Sequence, residues 1–283
     1  MNSISFNDLK NKVCVLTGGA GVIGSSIAEA LASAGIKTAI LDINIEFAEK
    51  VARVINKKYK ADTIGVQADV LNLESLNNAK KIINERFGKI DLLINGAGGN
   101  SPKATTQVEQ MEKSESIEFE KTFFGLDISG FDWVFNLNFK GTVLPTMVFA
   151  RDMVEKGQGA ILNISSMNSY RPLTKIPAYS AAKASINNFT QWLAVHLAKT
   201  GIRVNAIAPG FFLTNQNRFL LVDEKTGQPT PRGRKIIAST PMGRYGKTED
   251  LQGTVLYLLS DISRFVTGVI IPVDGGFNAY GGV

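Results

Sequence analysis

Residues 12–35 read KVCVLTGGAGVIGSSIAEALASAG. A short apolar run, 12–16, passes directly into a glycine-rich turn, Thr17 to Gly24, and then into a helical pattern. A strand that is apolar on both faces must be covered on both, and a helix following at once returns across the sheet, which favours parallel βαβ units. The glycines let the main chain approach a pyrophosphate, and the helix N-terminus offers N–H groups and partial positive charge. Gly18, Gly21, Val22, Ile23 and Gly24 are therefore candidate phosphate-contacting residues.

The same alternation continues along the chain. Strands are predicted over 38–41, 63–67, 90–94, 161–166, 202–208 and 269–273, with helices over 73–87, from about Phe131, around Tyr179, and over 246–260. The pattern predicts a single-domain α/β fold over 1–283, a doubly wound (Rossmann) parallel sheet of about seven strands with helices on both faces. A length of 283 residues at 44% hydrophobic content suits one large core.

Composition excludes several classes. The single cysteine, Cys14, cannot form an intramolecular disulfide and reads as a buried small residue; the single histidine, His196, has no Cys or His at ligand spacing, so no metal site is expected. No run approaches the ~18 apolar residues of a membrane helix, and residues 1–12 lack the pattern of a signal peptide, so a cytoplasmic protein without membrane contact is expected. The net charge of +6 is scattered rather than clustered with aromatics, which disfavours nucleic acid and leaves a surface or pocket that favours anions.

Asp42 ends the second predicted strand eighteen residues after Gly24. A carboxylate there accepts from ribose hydroxyls and repels a 2′-phosphate; Ile43 supplies no compensating cation, so NAD is favoured over NADP. The alternative is a helix N-cap, a role open to Asp42 or Asn44.

Tyr179 and Lys183 stand four residues apart in AYSAAK, which on a helix places phenol and ammonium on one face. Lowering a phenol by ~3 units from its usual value near 10 requires ~4 kcal/mol of preferential phenolate stabilisation, and a lysine cation has the right sign. The plainer alternative is an aromatic ring packed along a lysine stem. Ser166, thirteen residues before Tyr179, closes an apolar run, and Asn138 lies upstream in NLNFKG. Ser165 competes with Ser166, but as the alternate strand residue it should face away.

With the glycine-rich start, these residues resemble the short-chain dehydrogenase/reductase family over nearly the whole chain. The resemblance implies reversible hydride transfer between a nicotinamide and a secondary alcohol or ketone. In it Tyr179 exchanges the proton, Ser166 holds the reacting oxygen, and Lys183 lowers the tyrosine pKa and orients the nicotinamide ribose. Asn138 accompanies a helix distortion that frees a carbonyl for a water relay; Pro145 independently requires a missing helical bond in the same helix. Asp69 and Val70 match the adenine-side pair. Asn95-Gly96-Ala97-Gly98 resembles the family's NNAG, with Asn95, Ala97 and Gly98 on the cofactor side, and 209–214 resembles PGxxxT, where Pro209, Gly210, Phe212 and Thr214 would hold the carboxamide. One departure is Val22 in place of the middle glycine of TGxxxGxG; the same eight residues fit TGxxGxxG, the spacing of a longer branch of the family.

Residues 99–130 form an insertion with Glu109, Glu112, Glu115 and Glu118 at three-residue intervals, followed by Phe119, Phe123 and Phe124. The expectation is a solvated helical face with its aromatics packed on the body, or a lid or subunit-contact element. Residues 211–241 are the expected substrate loop. Asn168, Arg171 and Arg218, with Lys175, Gln216 and Asn217, could supply donors to hydroxyls and a carboxylate. The C-terminal third resembles sugar-acid members of the family, which implies D-mannonate and D-fructuronate as the substrate pair. Gluconate 5-dehydrogenation, 3-oxoacyl thioester reduction and a non-catalytic nucleotide-binding regulator are the alternatives. The family further implies a homotetramer or homodimer joined through the helices bearing Asn138 and Lys183.

Overall fold

The structure, a computed structural model, describes residues 5–113, 116–214 and 218–282. Its first strand, β1 (Val13–Thr17), is buried at every position. Successive side chains of a strand point to opposite faces, so Cys14 and Leu16 enter one core while Val13 and Val15 enter another. The other strands are β2 (Lys37–Asp42), β3 (Thr63–Gln67), β4 (Leu92–Asn95), β5 (Gly159–Ile164), β6 (Ile202–Pro209) and β7 (Ile270–Val273). They form one seven-stranded parallel sheet, as expected, in the order β3-β2-β1-β4-β5-β6-β7.

Three helices, α1 (Val22–Ser33), α2 (Ile45–Tyr59) and α3 (Leu73–Phe87), follow the first three strands. After β4 come α4 (Ile128–Phe135), a wide π turn at Asn136–Lys140, and α5 (Gly141–Lys156). The remaining helices are α6 (Pro177–Leu197), α7 (Arg218–Leu221), α8 (Pro231–Ala238) and α9 (Gln252–Leu259). One core joins the sheet to α1, α2 and α9 through Ile27, Leu31, Ile55 and Val255; the other joins it to α3, α5 and α6 through Leu76, Ile83, Phe149 and Leu193. The chain leaves β1 toward β2 on one side and reaches β4 on the other. That reversal opens a crevice at the carboxyl ends of β1 and β4.

Two expectations are corrected. The stretch 99–130 carries no helix on its glutamates: among its described residues there are short 3₁₀ turns at Pro102–Ala104, Phe119–Lys121 and Phe123–Gly125, then the start of α4. Glu115 lies outside the described residues. Phe119, Phe123 and Phe124 are exposed and pack edge-to-face on one another instead of on the body. The predicted last helix over 246–260 begins as a 3₁₀ turn, Thr248–Leu251, where the Asp250 carboxylate accepts from the Lys247 N–H and from Arg244.

Cys14 is buried, and burial pushes its thiol well above the ordinary range. His196 stacks on Trp192 at 4.8 Å. Among the described residues no helix is long and apolar enough to cross a membrane, and no group of three His, Cys, Asp or Glu could hold a metal ion.

Candidate active site

The glycine turn crosses the crevice floor. Gly18 has φ +64°, and a Cβ there would stand 2.8 Å from Ala97 Cα, so only glycine lets the β1 and β4 turns meet. Thr17 Oγ1 accepts from the Gly96 and Ala97 N–H groups at 3.1 and 3.3 Å, pinning the two turns together. Gly21 is the N-cap of α1, and no side chain caps the helix. The first amides of α1, at Val22, Ile23 and Gly24, have no intrahelical acceptor and are available to an anion. Val22 is the first helical residue; its backbone conformation suits any L-residue, which explains how valine stands where the commoner pattern has glycine.

Asp42 stands at the end of β2, and its Oδ1 accepts from the Asn44 N–H at 3.1 Å. Asn44, not Asp42, is the N-cap of α2, bonded to Phe47 N–H at 3.1 Å. The next residue, Ile43, is uncharged and 68% exposed, so the chain places no cation directly after the carboxylate. Asp69 Oδ1 accepts from Leu71 N–H at 2.8 Å, and Val70 is buried against Gly141. Asn95 donates to Thr146 Oγ1 and Asn163 Oδ1 at 2.9 and 2.8 Å, tying β4 to β5 and α5. Neutral amides for a pyrophosphate, a carboxylate for a ribose and small residues between them fit a dinucleotide.

Asn138 lies in the π turn, fully buried. Its Nδ2 donates to Gly99 O at 2.7 Å and to Val134 O at 2.8 Å, while its Oδ1 accepts from Gly99 N–H at 3.3 Å. Its main-chain carbonyl accepts from the Thr142 hydroxyl at 2.8 Å. The departure from α-helical geometry is confined to Asn136–Lys140, whereas α5 runs unbroken past Pro145. The distortion therefore belongs to the turn carrying Asn138. A Cβ on Gly98 would lie 2.6 Å from Asn138 Oδ1 and 3.3 Å from Lys183 Nζ, so these three residues converge.

Ser166 follows β5, and its hydroxyl accepts from Asn168 N–H at 3.2 Å and lies on the side of the Tyr179 phenol, where it bears on the phenol's acidity. Ser165 turns to α6 and donates to Asn187 Oδ1 at 2.5 Å. Tyr179 and Lys183 both lie on α6, which Pro177 opens at a position where a missing N–H costs nothing. Lys183 is only 4% exposed; its Nζ donates to Ile164 O at 2.8 Å and sits 5.6 Å from the Tyr179 ring centroid. Burial pushes the Lys183 ammonium down to about 8. Burial also pushes the Tyr179 phenol above its ordinary range, and the Ser166 hydroxyl opposes that rise. Lys183 gives one of its donors to Ile164 O, and the influence that opposes the rise of the phenol is the Ser166 hydroxyl.

Pro209 ends β6, and Gly210 N–H donates to Val273 O at 3.0 Å. Phe212 is buried in the core against Gly246, so only its main chain can face a ligand. The Thr214 carbonyl accepts from Arg218 N–H at 2.9 Å.

The proposed substrate donors separate. Asn168 is buried beside Ser166, and its Oδ1 has no protein partner. Arg171 gives one donor to Tyr280 O at 2.8 Å and Lys175 one to Gln107 O at 2.7 Å, so both also stitch loops together. Arg218 is exposed at the start of α7; Gln216 and Asn217 lie outside the described residues. Sequence reasoning offered a lid for 99–130 but missed the bonds that tie it down as a strap. Thr106 N–H donates to Lys175 O, Ala104 packs against Ala178 and Ala182 near Tyr179, and Glu109 pairs with Lys235 of α8 at 3.1 Å. Residues 104–109 thereby link the catalytic loop to the 211–241 segment, through pairs too far apart in sequence to leave a local signal.

Comparison with known proteins agrees with this arrangement. A family model described as enoyl-(acyl carrier protein) reductase matches residues 18–278. A crystal structure of a Haemophilus influenza protein, provisionally assigned as a D-mannonate oxidoreductase and holding NAD, is 52% identical with a TM-score of 0.92, covering 98% of each chain. An uncharacterized oxidoreductase of Bacillus subtilis, UxuB, is 52% identical over 98% of each chain. The 2-dehydro-3-deoxy-D-gluconate 5-dehydrogenase of Dickeya dadantii is 34% identical over 97% of this chain and 98% of its own. The chain belongs to the short-chain dehydrogenase/reductase family of oxidoreductases.

Proposed function

We propose that the protein is an NAD(H)-dependent oxidoreductase interconverting D-mannonate and D-fructuronate. The observation that carries the chemistry is the buried Lys183 ammonium 5.6 Å from the Tyr179 ring centroid, converging with Gly98 and Asn138, with Ser166 just past the end of β5. NAD is supported by the Asp42 carboxylate left free of helix capping, and by the NAD held in the 52% identical structure. When bound, the nicotinamide supplies or accepts the hydride.

The chain's own residues handle the oxygen and its proton. Tyr179 donates a proton to the carbonyl oxygen in reduction and removes it in oxidation. Ser166, within reach of the same oxygen, stabilises charge that develops there. Lys183, poised at about 8, carries the neighbouring positive charge, and Asn138 fixes the Gly98–Gly99 turn over it. The strap from Ala104 to Glu109, joined to α8, covers the substrate side of the crevice as a lid.

The substrate assignment rests on the assigned relative and on Asn168, buried two residues from Ser166, whose Oδ1 has no protein partner and suits a hydroxyl of a polyhydroxylated substrate. Identity to the deoxygluconate 5-dehydrogenase supports a second reading, oxidation at C5 of a gluconate-type acid. Oxidation of D-mannonate and D-gluconate, each with NAD and NADP, separates them: the proposal expects D-mannonate with NAD to give the highest kcat/KM. Preference for D-gluconate replaces it with the second reading. The exposed apolar face of α5 and α6, with Met147, Val154, Trp192 and Val195, supports a homotetramer or homodimer. Light scattering on the eluting protein reads the subunit number.

A further inference from the structure

Ser166 can act on the same oxygen as Tyr179 only if the β5–α6 loop is held against α6. Lys183 makes one such stitch, from Nζ to Ile164 O. A second lies one helical turn further on. Asn187 Oδ1 accepts from the Ser165 hydroxyl at 2.5 Å, and Asn187 Nδ2 donates to Ser169 Oγ at 2.8 Å. Ser169 in turn donates to the carbonyl of Ser166 at 2.5 Å. Asn187 thus uses both ends of its carboxamide to grip the residues on either side of Ser166, and each bond runs from α6 to the loop. No other amide among the described residues of α6 reaches this loop.

We propose that Asn187 is a positioning residue for the reaction: through Ser165 and Ser169 it fixes the Ser166 hydroxyl against the Tyr179 phenol. The inference rests on Ser166 and Tyr179 being the reacting pair, but not on which alcohol is oxidised. An amide suits this task because one planar group must accept from one serine and donate to the other at once. Asn187→Asp keeps the acceptor for Ser165 and loses the donor to Ser169, whereas Asn187→Ala loses both. Ser169→Ala removes the last link, to the Ser166 carbonyl.

The test compares these three variants with Thr190→Val, one turn further along α6, which cuts the buried bond between Thr190 and Asn163 Nδ2 at 2.9 Å. Kinetics follow oxidation of whichever acid the wild type turns over fastest. Asn187→Ala and Ser169→Ala should lower kcat by about 10-fold or more with the KM for NAD within about twofold. The ascending limb of kcat with pH should also move upward, because Tyr179 loses the contact that opposes its rise. Thr190→Val should lower Tm and leave that limb in place. If Asn187→Ala keeps kcat within about twofold of wild type, or loses rate while its limb stays where the Thr190→Val limb stays, the proposal is wrong. A crystal structure of Asn187→Ala gives an answer that needs no substrate. A Ser166 hydroxyl displaced from Tyr179 supports the inference; an unmoved one overturns it, even if no sugar acid is turned over and the proposed activity itself fails.

Discussion

The Lys183 ammonium donates to the Ile164 carbonyl at 2.8 Å, in a position where only 4% of the lysine meets water. A cation so placed serves the site at a cost to the fold. Burial lowers its pKa from 10.5 to about 8, so between these values the unfolded chain holds a proton that the folded chain has released. Stability therefore rises with pH across that window because of this group. Lys183→Met removes the effect. From pH 8 to 9.5 the wild type should gain about 2 kcal/mol relative to the variant, read from urea unfolding at each pH. A difference that stays flat across the window contradicts the assignment.

Gly98→Ala tests the convergence of three residues. The new Cβ would stand 2.6 Å from Asn138 Oδ1, a fully buried side chain with no room to retreat. The Gly99–Asn138 pair must break or shift, at a cost of about 1–3 kcal/mol. Turnover should fall by more than an order of magnitude, since Lys183 Nζ is 3.3 Å from the same point. Unfolding midpoints and kcat measured side by side would show both losses.

The lid reading makes a different demand. Glu109 and Lys235 are both solvent-exposed, and the pairing with Lys235 holds the Glu109 carboxyl below the usual range. Such a contact is screened by salt. Glu109→Gln should raise the substrate KM about two- to fivefold with kcat little changed, and added salt should bring the wild type toward the variant without affecting the variant further. Equal salt responses in both proteins would remove the strap from the account.

Cofactor choice is testable at the end of β2. Replacing Asp42 with Asn removes the charge that repels a 2′-phosphate, and Ile43→Arg adds a cation beside it. The double variant should lower the NAD-to-NADP ratio of kcat/KM by about 100-fold. An unchanged ratio would place adenosine recognition elsewhere.

The sheet was legible because its cause is local: an apolar run of five residues alternates its side chains between two cores, and β3 falls where its residues predict. The glycine turn and the Tyr179–Lys183 spacing were legible for the same reason, each resting on one helix or turn. Residues 99–130 were not. Their three-residue glutamate spacing imitates a helix, but the segment's conformation is set by distant partners, Lys175, Asn138 and Lys235. Nothing nearby in sequence reveals that the Tyr280 carbonyl, 109 residues on, takes one donor of the Arg171 guanidinium. The balance of charge in the site was also hidden. Spacing places Lys183 beside Tyr179, but only the packed structure shows the lysine buried and donating to Ile164.

The most direct measurement is the kcat of Tyr179→Phe for NAD-linked oxidation of D-mannonate, taken with the affinity for NADH from fluorescence titration. The account predicts a fall of about 1,000-fold or more in kcat with NADH affinity within about threefold of wild type. Retention of most of the wild-type rate with NADH binding intact would contradict it, because the phenol could not then be the group that exchanges the proton.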